Sequence, residues 1–328
     1  HFAGFYQKQI ISDTEKEAFI RHNKLLSTEF NEFKGKTEKS ETNNIIMSAT
    51  KMDNLLNCPM KYWFSSKLNI KPIEFNEMLT KSGEKGDIVH KALELFGKTA
   101  GFHLNRQDIK KGCVKLADNL AAALNSQNIN PDKNLLQQHF YSTLRDGLKD
   151  GYASNMFVKL LNWNREKLSN FDEGLFEQKF GMTEFDVDSW EYFSLSNEVL
   201  QLNFRGKIDK VLINEIAKII YVTDYKTGTE SKPKDITEMY SSQMVIYCLV
   251  LGDIFPDYKI FIAYENLKSL KPNEIGLTIF FEKETGSDLL VLNRNNSLSL
   301  EATKTLYLAA AKKITEGEFP VAEKSRQQ

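Results

Sequence analysis

The 328-residue chain has little that would tie it to a membrane, an export route or a disulfide scaffold. Nowhere does it carry a run of about eighteen apolar residues, so no membrane-spanning helix is expected. Its opening residues, HFAGFYQKQI, lack the apolar stretch of a signal peptide, and a start on His rather than Met reads as a fragment of a longer polypeptide. Only three cysteines are present, Cys58, Cys113 and Cys248. They are too widely spaced for a disulfide framework, which points to a reducing, cytoplasmic setting. No G-x-x-x-x-G-K-[ST] phosphate loop occurs, so the chain cannot itself be an ATP motor. A basic excess is missing too: the formal net charge is −1. That gives no overall attraction for nucleic acid, although a neutral protein can still hold a basic groove. Internal repeats and low-complexity blocks are absent from the sequence.

What is present is ordinary globular composition, 41% hydrophobic and 27% charged, with length enough for one large domain or two average ones. Residues 12–34 read as a helix opened by the capping-box pattern SDTE, with Ser12 as cap and Glu15 three residues on. Residues 35–46 are polar and read as a linker. Helical periodicity resumes at Ser48, is interrupted at Pro59, and returns in GEKGDIVHKALELFGK, where Ile88, Val89, Ala92, Leu93 and Phe96 share a face. Residues 106–126 and 132–169 also read as helical. From about residue 175 the character changes to short β-branched and aromatic segments: LFEQKFGM, WEYFSL, LQLNFRGKIDKVLI and AKIIYVTDYKTG. DITEMYSSQMVIYCLVLGDIF returns to helical period, YKIFIAYENL and EIGLTIFFE read as strands, and residues 299–316 close the chain as a helix. The expected fold class is mixed α/β (α+β), a sheet core flanked by helices behind a helix-rich N-terminal half. The expected organisation is a helical lead-in and linker over 1–46, then one domain over 47–328, helical to 170 and sheet-centred from 171.

Within the strands, the pattern D-Y-K puts Asp224 and Lys226 on one face of a strand end. Fifteen residues earlier, Asp209 sits in RGKIDKVLI, a separation that fits a strand, a turn and the next strand. Two carboxylates brought together repel unless a cation lies between them, and a hard divalent ion such as Mg²⁺ suits that place. His90, beside the apolar stripe of its helix, can add a neutral imidazole, which makes Mn²⁺ as good an occupant. Gln243 and Tyr247 lie one helical turn apart and can present a polar pair beside the acids. Taken singly, each of these residues has a plainer reading as a solvated strand end, a capped His or a core Tyr.

Taken in order, the elements Cys58–Phe64 (CPMKYWF), Gly86–His90 (GDIVH), Gly206–Asp209 (GKID), Asp224–Gly228 (DYKTG) and Gln243–Tyr247 (QMVIY) resemble the RecB/AddB-like branch of the PD-(D/E)XK nucleases. The resemblance spans about residues 48–250. It implies a restriction-endonuclease-like sheet and metal-dependent hydrolysis of DNA. His90, Asp209, Asp224 and the backbone carbonyl of Tyr225 would hold Mg²⁺ or Mn²⁺. Lys226 would position the attacking water, Gln243 and Tyr247 would complete the site, and Gly228 would turn the chain out of it. Glu177 is a further acid on an earlier strand, near where relatives often carry one. The implied partners are DNA and helicase modules, in the same polypeptide or in a partner subunit acting on DNA ends, with exonuclease action favoured over endonuclease. Many members also carry an iron–sulfur cluster. Here Cys58 matches one ligand position and the three C-terminal cysteines are missing, so no cluster is expected in this chain. A catalytically silent DNA- or partner-binding module and a stand-alone CRISPR-type exonuclease remain open as alternatives.

Overall fold

The computed structural model of the chain describes residues 35–40, 42–70, 82–99, 108–126, 135–152, 154–171, 173–228, 233–267, 276–293 and 296–321. The helix expected over residues 12–34 lies outside them. Strand β1 (Asn44–Met47) comes first, followed by α1 (Ala49–Asn57) and α2 (Pro59–Tyr62), which runs on into a π-helical turn at Trp63–Lys67. Ser48 caps α1 by accepting the Lys51 N–H (3.4 Å), and Pro59 stands at the first position of α2, where its missing N–H costs nothing. Four helices then pack together: α3 (Ser82–Lys98), α4 (Ile109–Ser126), α5 (Leu135–Lys149) and α6 (Met156–Lys167). The stretch expected to be helical over 132–169 is thus two helices. Gly151 adopts φ +69° between them, and Asn155 starts α6 by accepting two of its free N–H groups.

The second half carries β2 (Glu173–Phe180), β3 (Phe193–Ser196), β4 (Gln201–Phe204), β5 (Gly206–Asn214) and β6 (Ile219–Lys226). After them come α7 (Pro233–Thr237), α8 (Gln243–Ile254), β7 (Lys259–Asn266), β8 (Gly276–Lys283), β9 (Leu289–Asn293), β10 (Asn296–Ser299) and α9 (Leu300–Thr315). Seven strands form the main sheet in the order β10-β9-β8-β7-β6-β5-β2. Its β6–β7 pair is parallel, as a crossover through α8 requires, and the other pairs are antiparallel. This is the mixed α/β architecture expected from the sequence.

Strand β6 alternates cleanly. Ile220 and Val222 enter the core shared with α8 and α9, whereas Tyr221 and Tyr225 face α3–α6. Helix α8 is buried along Met244–Leu251 without a break, so it is a central helix covered on all sides.

Three expectations need correcting. The segment 35–46 is not a free linker: Thr37 donates to the Gly317 carbonyl, Ser40 to that of Thr315, and β1 pairs in parallel with β4 in a small separate sheet, β1-β4-β3. The segment LQLNFRGKIDKVLI is two strands in two sheets, divided at Arg205. The stretch from Asp235 to Phe255 is likewise divided, because Met239 takes φ +60°, which no helix can absorb.

Candidate active site

The site forms where β5 parts from β6. Their ladder runs to Lys210↔Thr223. One step further, Asp209 and Asp224 would face each other. There the Asp209 carboxylate takes the place of a backbone acceptor: its Oδ2 accepts the N–H of Tyr225 at 2.8 Å.

On the other flank of β5, Glu177 of β2 occupies the position opposite Asp209, with φ +54°. A non-glycine residue there is strained. The strain has a visible effect: Phe176 and Phe180 have the same strand parity but lie in different cores, so the β2–β5 ribbon changes face at Glu177. That turn carries both acids, 4% and 8% exposed in their side chains, toward α3.

Helix α3 supplies His90. Its Nδ1 lies 3.3 Å from Asp209 Oδ2 and 3.8 Å from Glu177 Oε1, and its Nε2–H donates to the Tyr225 carbonyl at 3.1 Å. Gly86 of the same helix lies beside the D-Y-K strand end. A Cβ on Gly86 would already lie 3.4 Å from Thr227 Oγ1, so the DYKTG turn sits directly against α3. Gly206 leaves room for a packed ring, since a Cβ there would come within 2.7 Å of the Phe180 ring. The chain bends at Thr227–Gly228 as expected, but not through a left-handed glycine angle: Gly228 has no positive φ, and a Cβ would meet nothing within 4 Å.

From the opposite side, α8 brings Gln243. Its Nε2 donates to Asp224 Oδ1 (2.6 Å) and to the Tyr247 hydroxyl (2.9 Å), and its Oε1 accepts from Lys226 Nζ (3.2 Å). Tyr247 in turn donates to the Lys207 carbonyl at 2.7 Å. Lys226 Nζ lies 2.5 Å from Asp224 Oδ2, a charge contact without hydrogen-bond geometry. The helix pair expected from the i, i+4 spacing therefore fixes both members of the D-Y-K pattern.

The electrostatics are those of a buried acid cluster ringed by His90, Lys207 and Lys226. Burial and the neighbouring Asp209 charge raise the Asp224 carboxyl to about 7, despite Lys226 and His90 beside it. Burial disfavours the charged His90 ring, but its hydrogen bonds to Asp209 and Glu177, with the Asp209 and Asp224 charges behind them, push it up to about 10. His90, Glu177 and Asp209 offer ligand atoms that all lie within 4.8 Å of one another. Glu177 Oε2 and Asp224 Oδ2 are buried and accept no hydrogen bond. One imidazole nitrogen and several under-bonded carboxylate oxygens fit a divalent ion.

The structure thus gathers His90, Glu177, Asp209, Asp224, Lys226, Gln243, Tyr247 and the Tyr225 carbonyl, which accepts from His90. Cys58, at the junction of α1 and α2, is partly exposed and free, as are the buried Cys113 and Cys248. Sequence reasoning passed over Lys207, whose ammonium is ion-paired with Glu177 Oε2. The signal was there: GKID sets a second lysine two residues from an acid, as DYK does. It also missed a fully buried ion pair behind the site, Lys210 to Glu265 at 2.8 Å.

No curated protein matches the chain. A solved structure titled "Crystal structure of SSO0001" aligns over 92% of this chain and 84% of that one, with 12% identity and a TM-score of 0.29, too slight a likeness to carry an argument. The family model of the PD-(D/E)XK nuclease superfamily matches residues 46–326, which takes in every residue of the site, and the chain belongs to that superfamily.

Proposed function

We propose that the chain is a metal-dependent deoxyribonuclease of the RecB/AddB-like branch. It would be the nuclease part of a helicase–nuclease that acts on DNA ends, cutting as an exonuclease. The observation that carries this reading is the convergence of His90, Glu177 and Asp209 on one side of Asp224 and a hydrogen-bonded Lys226 on the other.

His90, Glu177, Asp209 and Asp224 would hold Mg²⁺ or Mn²⁺, and to ligate, His90 gives up the proton it otherwise retains. When bound, the ion neutralises phosphate charge and makes water a better nucleophile. Lys226 cannot ligate while charged. Its ammonium, fixed by Asp224 and the Gln243 carbonyl oxygen, orients the attacking water and stabilises the negative charge that develops on the phosphate oxygens. Gln243 sets the positions of Asp224 and Lys226 together, and Tyr247 anchors the Gln243 amide to the backbone of β5. Helicase modules, in the same polypeptide or a partner subunit, would deliver the strand, which suits a chain with no net positive charge.

The test is cleavage of linear and circular DNA with Mn²⁺ or Mg²⁺. The Asp224→Ala and Lys226→Ala variants are expected to lose about 100-fold or more. Cutting confined to linear DNA marks an exonuclease. Absence of cutting, together with absence of divalent-ion binding by calorimetry, overturns the reading.

A further inference from the structure

Among the described residues of the site, Lys207 is a cation to which the reaction above gives no task. It precedes Asp209 by two residues on β5, and its side chain is 47% exposed, against 4% for Glu177, its ion-pair partner. Glu177 Oε2 is buried, and among the described residues Lys207 is its ion-pair partner, while His90 faces the other oxygen. Yet Glu177 also belongs to the His90–Glu177–Asp209 group. A divalent ion held beside His90 would therefore share the Glu177 carboxylate with Lys207, the ion toward Oε1 and the lysine on Oε2. An ion carrying two charges would neutralise Glu177 from that side, repel the ammonium and weaken the hold of Glu177 on it. The released side chain already stands half in solvent, on a backbone pinned by the Tyr247 hydrogen bond to its own carbonyl. Gln243 and Tyr247 link the Lys207 carbonyl to the Lys226 ammonium, so a lysine from each strand flanks the acids.

Resting on the nuclease reading, we propose that Lys207 is a substrate-contacting residue: a phosphate clamp that Glu177 holds back and that divalent-ion binding frees to grip the DNA backbone. Metal loading and DNA binding are coupled through this side chain. The clamp has no preference among bases, because a phosphate contact carries no sequence information.

The test measures binding to a fluorescent DNA oligonucleotide in a Lys226→Ala background, so that the DNA stays intact, with Mn²⁺ or with a chelator. With Mn²⁺, Lys207→Ala is expected to weaken binding about tenfold and to reduce the salt slope by about one. With the chelator it changes binding little. Lys207→Arg keeps the ion-dependent contact and guards against a folding defect. Glu177→Gln frees the lysine without metal and tightens metal-free binding, a gain that disappears in the Glu177→Gln/Lys207→Ala double variant. An equal effect of Lys207→Ala with and without ion, or no effect in either, overturns the proposal. So does a Glu177→Gln gain that survives in the double variant. Cleavage by the unaltered chain is read in parallel. Cutting with no ion-dependent role for Lys207 sinks the clamp alone. An ion-dependent Lys207 contact without cutting supports the clamp and tells against the nuclease.

Discussion

Glu177 holds a left-handed backbone angle that costs a non-glycine residue on the order of 1–3 kcal/mol. Such strain persists where the surroundings over-determine it, and here the surroundings are His90, Lys207 and Asp209. Replacing Glu177 should separate stability from function. Glu177→Gly relieves the angle and is expected to melt higher than Glu177→Ala by the equivalent of about 1 kcal/mol, while both variants lose divalent-ion affinity. The reverse order of melting temperatures would mean that the angle is not strained. At this scale much of the site was legible. Asp209, Asp224 and Lys226 stood out because strand periodicity and charge occur together there, and His90, Gln243 and Tyr247 because helical spacing gives each a defined face. Glu177 was legible only as an acid on a strand. Its place in the cluster depends on a backbone angle that no residue preference for glutamate announces. Lys207 was hidden because a lysine at a strand edge usually just meets water.

Elements explain how the site is held from behind. Lys210 of β5 and Glu265 of β7 reach each other across β6, both completely buried, with Asn164 and Thr223 sharing the hydrogen bonds. Lys210 also lies 5.3 Å from the centre of the ring of Tyr225, the residue whose N–H meets Asp209 and whose carbonyl meets His90. Removing one partner leaves a buried charge, so Glu265→Gln and Lys210→Met are each expected to cost about 3–5 kcal/mol, read by denaturant unfolding. Replacing both should restore much of the loss. Single variants within about 0.5 kcal/mol of the parent would contradict a dry ion pair. The pair could not be read from the sequence, since Lys210 follows Asp209 as if it were another solvated strand charge. Alternation of β6 was readable, and it placed Asp224 and Lys226 on one face. The division of residues 201–214 between two sheets was not readable, because the partner of β4 is β1, some 157 positions earlier.

At the scale of the whole molecule, the helical first half and sheet-centred second half follow from the switch in hydrophobic period near residue 175. The β1–β4 pairing of the small sheet and the tethering of 35–40 to the C-terminal segment come from long-range contacts with weak local signals, whereas β9 and β10 pair locally with each other. The buried cysteines give a global handle on this packing. Burial pushes the Cys248 thiol up to about 12 from its ordinary 9.0, and raises Cys113 as well. Since the fold keeps these thiols neutral, unfolding should become easier as pH rises from about 9, where an exposed thiol ionises, toward 12. At pH 8, alkylation of the native protein should reach Cys58 and spare the other two until denaturant is added; fast labelling of all three would contradict the packed core. The central claim, that His90, Glu177 and Asp209 form a metal centre, is tested most directly by calorimetric titration of Mn²⁺ into the chain and its Asp209→Asn variant, which keeps an acceptor for the Tyr225 N–H but loses the charge. Binding by the parent that is abolished in a variant of unchanged melting temperature is the predicted result. Equal binding by both, or none by the parent, would contradict it.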